Sequence, residues 1–168
     1  LLNNNQDPGF QDYLISELIS RTYFHNMVTH LLEAAFQREV YTRLDNDEYL
    51  NGDILCQIKL DIIKEFWGED FEIGDDAGLI WMRQPHYYIG LYPYTYSAGL
   101  TIGTAMAKQL EENPEEVVEK WLETLSLGAS LSAQDLAKHA GVDVSTDQPL
   151  KETIAYVGSL VDKLESLI

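Results

Sequence analysis

Basic residues are scarce in this chain. Against 28 aspartates and glutamates stand 11 lysines and arginines, for a formal net charge of −17 over 168 residues. Such an excess of carboxylate repels nucleic-acid phosphates and anionic lipid headgroups, so neither nucleic acid nor a membrane surface is an expected partner. It suits a soluble acidic surface and leaves attraction to basic peptides open. Cysteine is scarcer still. The single Cys56 cannot form an internal disulfide, which points to a reducing, cytoplasmic compartment. It stands among apolar residues, the setting of a buried inert thiol rather than of a nucleophile. No apolar run approaches the roughly 18 residues that span a bilayer, and no signal peptide is visible. The first residue is Leu1, not methionine, so a piece of a longer protein is expected.

Several catalytic signatures are also missing. There is no Gly-x-Ser-x-Gly elbow and no glycine-rich phosphate loop. The histidines are His25, His30, His86 and His139. His25 and His30 are five apart, about 140° around an α-helix, so they are not expected to share a face. The zinc motif His-Glu-x-x-His needs a spacing of four and is absent, so this chain alone is expected to supply no metal ligand. His25 and His30 then read as polar surface or core-edge residues. His139, near a helix end, reads as a favourable C-terminal charge.

What is present is helical periodicity, over a length sufficient for one domain with a core. From Phe10 to Leu44 apolar residues recur at helical spacing, as at Leu14, Leu18, Leu31, Leu32, Ala35, Phe36 and Val40. Asp53 can cap a following helix with Ile54, Ile58, Ile62 and Phe66 on one stripe, ended by Gly68. A helix can run from Pro93 to about Glu112, and Gly99, Gly103 and Ala107 on it give a face able to approach another helix closely. Three further helices are marked by Asn113-Pro114 with a stop at Gly128, by Ser132 and Asp135 with a stop at Gly141, and by Pro149 with an apolar face of Ile154, Val157, Leu160, Val161 and Leu164. The expectation is an all-α chain with no sheet larger than a small hairpin.

The segment Pro85–Gly99 has a different texture. It holds His86, Tyr87, Tyr88, Tyr92, Tyr94 and Tyr96. Phenol hydroxyls and an imidazole are neutral hydrogen-bond donors at pH 7, suited to holding a peptide backbone or an oxyanion that develops on a carbonyl. With a helix starting at Pro93, Tyr92 and Tyr96 lie one turn apart and can point the same way, while Tyr94 points elsewhere. On composition alone, an aromatic packing cluster under a loop accounts for the segment as well.

The order of these residues adds more. Trp81-Met-Arg-Gln-Pro-His86-Tyr-Tyr-Ile-Gly-Leu-Tyr92-Pro-Tyr94-Thr-Tyr96-Ser-Ala-Gly99 resembles the pattern W-x-R-x-P-H-[FY]-Y-x-x-[FY]-Y-x-Y-x-Y-[AS]-x-G of the thimet oligopeptidase and oligoendopeptidase F family. Leu32-Glu33-Ala-Ala-Phe36-Gln-Arg-Glu39, Phe66-Trp67-Gly68 and Ala140-Gly141-Val142-Asp143 resemble further family segments in the same order. The chain departs from the pattern at Ile89, Gly90 and Pro93, where the family commonly has an aromatic residue, Asn and Val.

The resemblance implies that residues 1–168 are the C-terminal portion of the catalytic domain of a zincin-type oligopeptidase, helical and bundle-like. It implies zinc in the full-length enzyme, held by a His-Glu-x-x-His helix and a later glutamate, with none of these ligands in this chain. Leu1-Leu2-Asn3 looks like the stretch shortly after the third ligand. The implied partners are short peptide substrates and the upstream part of the same domain, and the chain by itself is expected to be inactive. By the same resemblance His86 and Tyr96 are catalytic, stabilising the tetrahedral intermediate, and Tyr88, Tyr92 and Tyr94 bind substrate. The alternative is a non-catalytic helical interaction domain with the tyrosine segment as its contact patch, since aromatic residues are favoured at binding hot spots.

Overall fold

The computed structural model describes residues 7–167, and every regular element in them is helical. In order come α1 (Pro8–Glu17), a π-helical segment (Leu18–Thr29), α2 (His30–Asp45) and α3 (Gly52–Trp67). Two 3-10 stretches follow, Asp75–Arg83 and Pro85–Tyr88, and then α4 (Tyr94–Glu112), α5 (Pro114–Leu127), α6 (Ala133–His139) and α7 (Gln148–Glu165). No strand occurs among the described residues, as the all-α reading expects. Leu1-Leu2-Asn3, compared above with the family's segment after its third ligand, lies outside the described residues. No helix among those described is long and apolar enough to cross a membrane.

Helix ends follow local chemistry, with two corrections. Ser132 accepts from the Asp135 amide at 3.1 Å, so the expected cap of α6 forms. Gly128 and Gly141 close α5 and α6 in left-handed conformations, φ 56° and 103°, that side chains resist. The cap of α3, however, is Asn51 and not Asp53: Asn51 Oδ1 accepts from the Ile54 amide at 2.9 Å. Asn113 precedes α5 but makes no capping bond; its side-chain amide donates to Glu116 at 2.6 Å.

The chain divides into two compact units. One takes the chain up to Phe24 and again from Ala98 onward. Its core includes Ala105, Met106, Ala140 and Val142, with Ile102 and Val117 against them. There α1 packs on α7, and Tyr23 meets Tyr156 edge-on while hydrogen-bonding Thr104 at 2.9 Å. The close helix contact expected at Gly99 and Gly103 is not made. Beyond the adjoining backbone of its own helix and its chain neighbours, no heavy atom among the described residues lies within 4 Å of where a Cβ on either would stand. Both line an open groove of about 530 Å³ with Met106, Leu110, Val117 and Trp121. On α7 only Leu160 of the expected apolar face is fully buried, and Ile154 and Val161 are exposed.

The other unit is His25–Ser97. Here α2 and α3 pack together, and the Asp75–Arg83 stretch lies along α3. Phe36, Ile58, Leu60 and Ile63 are buried, and Phe36 stacks on Trp81 and meets Tyr87 at a tilt. Gly78 permits the close approach, since a Cβ there would fall 2.7 Å from the carbonyl oxygen of Cys56. The Trp81 indole donates to the Cys56 sulfur at 3.4 Å.

The π segment overturns the expectation for His25 and His30. Bonds from i to i+5 bring residues five apart nearly above one another. His25 lies within the segment and His30 begins α2 directly after it, so the two rings meet edge-on with centroids 4.6 Å apart. His25 is exposed, but His30 is fully buried rather than at the core edge.

Candidate functional site

Three elements of the His25–Ser97 unit build one polar cluster. The first turn of α2 presents His30 and Glu33 at i, i+3, on one side of the helix. Both are buried, and His30 Nδ1 lies 2.7 Å from Glu33 Oε2. The 3-10 turn Pro85–Tyr88 brings in His86, whose Nδ1 is 3.6 Å from the same carboxylate oxygen. That separation is beyond a hydrogen bond, and the buried Nδ1 has no other partner. Gln84, just before the turn, donates its side-chain amide to the other carboxylate oxygen, Glu33 Oε1.

The start of α4 supplies the tyrosines. Pro93 is fully buried and anchors the turn into the helix. Tyr92 and Tyr96 then point the same way, as their spacing predicts: Tyr96 donates its hydroxyl to Tyr92 Oη at 3.3 Å. The Tyr96 hydroxyl is also 3.3 Å from His86 Nε2. Its ring stacks on His30, centroids 3.9 Å apart and planes within 11°. The Glu33 carboxylate thus meets two imidazoles and the Gln84 amide, and Tyr96 and Tyr92 join the cluster through the imidazoles.

The electrostatics favour the protonated form of the Tyr96 phenol. The Tyr92 hydrogen bond, followed by partial desolvation and the negative charge of Glu33, raises the Tyr96 pKa above its ordinary value. Tyr87 turns away from the cluster onto Phe36, and its hydroxyl accepts from Lys59 Nζ at 3.2 Å. Burial raises the Tyr87 phenol, with Glu33 adding to the effect. Burial also pushes the Lys59 ammonium down to about 8, against the opposing pull of Glu33.

Of the five residues singled out in the sequence, the structure brings together His86, Tyr92 and Tyr96. Tyr88 and Tyr94 do not join them; both side chains are largely exposed, at 79% and 51%. Sequence reasoning passed over His30, Glu33 and Gln84. One signal was available: His30 and Glu33 stand at i, i+3 within an otherwise apolar helical stripe, and a carboxylate in such a stripe must find partners.

No protein-family model matches the chain. Individual proteins do. Oligopeptidase PepF of Bacillus subtilis is 26% identical over 168 residues, covering 100% of this chain and 25% of that protein. An oligoendopeptidase F homolog of Borreliella burgdorferi is 25% identical over 171 residues, covering 99% of this chain and 28% of its own length. Among solved structures, the crystal structure of oligoendopeptidase-F from Enterococcus faecium superposes with a TM-score of 0.92 at 23% identity, over 99% of this chain and 32% of that one. The chain therefore spans about a quarter to a third of the length of these proteins. From end to end, in sequence and in fold, it is similar to the C-terminal portion of the oligoendopeptidase F family.

Proposed function

We propose that this chain is the donor-bearing wall of a peptidase active site, the rest of which lies in the upstream part of the same catalytic domain. The convergence of the Tyr96 hydroxyl and His86 Nε2, 3.3 Å apart, carries the reading. A phenol hydroxyl and an imidazole nitrogen held together beside a buried carboxylate are poorly explained as packing alone. The zinc that the family resemblance implies has its ligands in a His-Glu-x-x-His helix and a later glutamate, which this chain does not contain. Bound there, zinc supplies Lewis-acid polarisation of a peptide carbonyl and a water made nucleophilic.

The residues of this chain then act on the substrate. In the resting geometry the Tyr96 proton is directed at Tyr92 across 3.3 Å, well beyond the 2.7–2.8 Å typical of a good O–H···O bond. A bond that long is surrendered at low cost when a better acceptor enters. An oxyanion developing on the substrate carbonyl is such an acceptor, and Tyr96 and His86 donate to it. Tyr92 holds the Tyr96 hydroxyl in place beforehand, and exposed Tyr88 and Tyr94 are available to the peptide chain on either side. Losing one oxyanion donor costs about 3–4 kcal/mol of transition-state stabilisation. Short peptides are the fitting substrates, and the compartment is the cytoplasm. The chain alone is inactive on this reading.

The test is Tyr96→Phe in the full-length protein. If the hydroxyl serves only in the transition state, kcat falls by about 10²–10³-fold while KM changes little. A folded variant, checked by circular dichroism, with near-normal kcat removes Tyr96 from the mechanism. One observation favours the non-catalytic alternative: Tyr88, Ile89 and Leu91 are all exposed at the tip of the same segment, as a contact patch requires. The encoding gene separates the two, because only a peptidase needs His-Glu-x-x-His upstream.

A further inference from the structure

We propose that His30, Glu33 and His86 form a binding site for one zinc-type divalent transition-metal ion, made by residues of this chain alone. The inference stands on the geometry of the cluster and does not rest on the peptidase reading.

One ligand atom from each of His30, Glu33 and His86 lies within 4.8 Å of the other two. Zinc bonds of about 2.0–2.2 Å to nitrogen and oxygen place tetrahedral ligand atoms about 3.3–3.6 Å apart. The 3.6 Å between His86 Nδ1 and Glu33 Oε2 already has that value, whereas it is too long for a hydrogen bond. The 2.7 Å between His30 and Glu33 has only to open by less than an ångström. Two imidazoles and one carboxylate are a recurrent three-ligand set for zinc, with a fourth position left for water. His30 and Glu33 are 3% and 4% exposed at the side chain and His86 is 24% exposed, so the open side is that of His86.

Two further features point to an ion rather than to a proton. First, His86 Nδ1 is buried and orphaned, although a buried polar atom without a partner costs on the order of 1–3 kcal/mol. A proton shared between His30 and Glu33 leaves that orphan unexplained, and a metal ion satisfies it. Second, the outer partners that metal ligands usually have are in place. Gln84 holds the carboxylate oxygen Oε1, and Tyr96 faces His86 Nε2, the nitrogen a metal on Nδ1 would leave free. A metal on Nδ1 puts the remaining imidazole proton on Nε2 and makes His86 a donor toward Tyr96 and whatever lies beyond it.

Cobalt(II) is the probe, because its d–d absorption reports coordination number and geometry. The full-length protein and its variants are stripped with chelator, loaded with cobalt(II), desalted and analysed for metal per polypeptide. His86→Asn and Glu33→Gln are each expected to hold one equivalent less than wild type and to lose the matching visible absorption. Gln84→Ala is expected to weaken the same equivalent about 10–100-fold, as for loss of an outer partner. His86→Asn is the decisive variant, since its side chain sits on a partly exposed turn and a circular dichroism spectrum can establish that the fold survives. Unchanged cobalt content and absorption in folded His86→Asn protein overturn the proposal and leave the cluster as a proton-linked network.

Discussion

Lys59 is the most exacting test of the electrostatics in the His25–Ser97 unit. Its side chain is buried among α2, α3 and the Pro85–Tyr88 turn, with Nζ on the Tyr87 hydroxyl at 3.2 Å and 5.9 Å from the centroid of the Phe36 ring. Glu33 is the carboxylate whose charge reaches it. Burial nonetheless dominates and lowers the ammonium from 10.5 to about 8. Between those two values the unfolded chain binds the proton that the folded chain has lost, so stability rises with pH. Carried through from pH 8 to 10.5 this is about 3 kcal/mol, of which about 2 kcal/mol falls between pH 7 and 9.5. Above pH 10 the sign reverses. The folded-state pKa of Tyr87 is raised, so the unfolded phenol ionises first and stability is lost again. Stability is therefore expected to peak at about pH 10. Urea unfolding in chelator, followed by tryptophan fluorescence in a Trp121→Phe background, leaves Trp67 and Trp81 as reporters on this unit. Comparison with Lys59→Met removes the pH dependence of every other group. Wild type is expected to gain about 2 kcal/mol relative to the variant from pH 7 to 9.5. Parallel curves for the two proteins over that range would refute the assignment of a penalised buried ammonium.

Two stability effects are expected in the other unit. Gly103 lies within α4 on an open face, so Gly103→Ala is expected to raise the urea midpoint by the equivalent of about 0.5–1 kcal/mol, the helix-propensity difference, with no clash to offset it. Ser132→Ala removes the cap of the seven-residue helix α6 and is expected to cost about 0.5–2 kcal/mol in the same measurement.

Which features were legible in the sequence depends on how far apart their causes lie. Ser132 with Asp135, and the stops at Gly128 and Gly141, are legible because a cap or a left-handed turn is decided within a few residues. The two-residue error at α3 has the same local scale: Asn51 and Asp53 both carry a capping oxygen, and only the backbone decides which one sits at the end. The π segment is harder. Its apolar residues look the same at a spacing of four or five, so the sequence does not disclose that i→i+5 bonding sets His25 beside His30. The glycine face of α4 failed for a different reason. Small residues at i, i+4 permit a close approach, but permission does not supply the partner, and none is found among the described residues.

The candidate site divides along the same line. Tyr92 and Tyr96 are joined by one helical turn, and their convergence follows from spacing. His86 reaches them from six and ten residues away across a proline-bounded turn, a placement that rests on order and resemblance rather than on periodicity. Glu33 lies more than fifty residues from both His86 and Gln84, and no local rule connects them. Yet Glu33 shapes much of the site's electrostatics: it contributes to the raised phenols of Tyr87 and Tyr96 and opposes the depression of Lys59. A buried carboxylate must be compensated wherever it is placed, because the desolvation it suffers is several kcal/mol without partners. Here two imidazoles and an amide gather around it. The tyrosine block therefore announces which groups can donate, while the buried glutamate decides how the imidazoles behind them are held. Reading the first without the second finds the donors but not the charge that organises them.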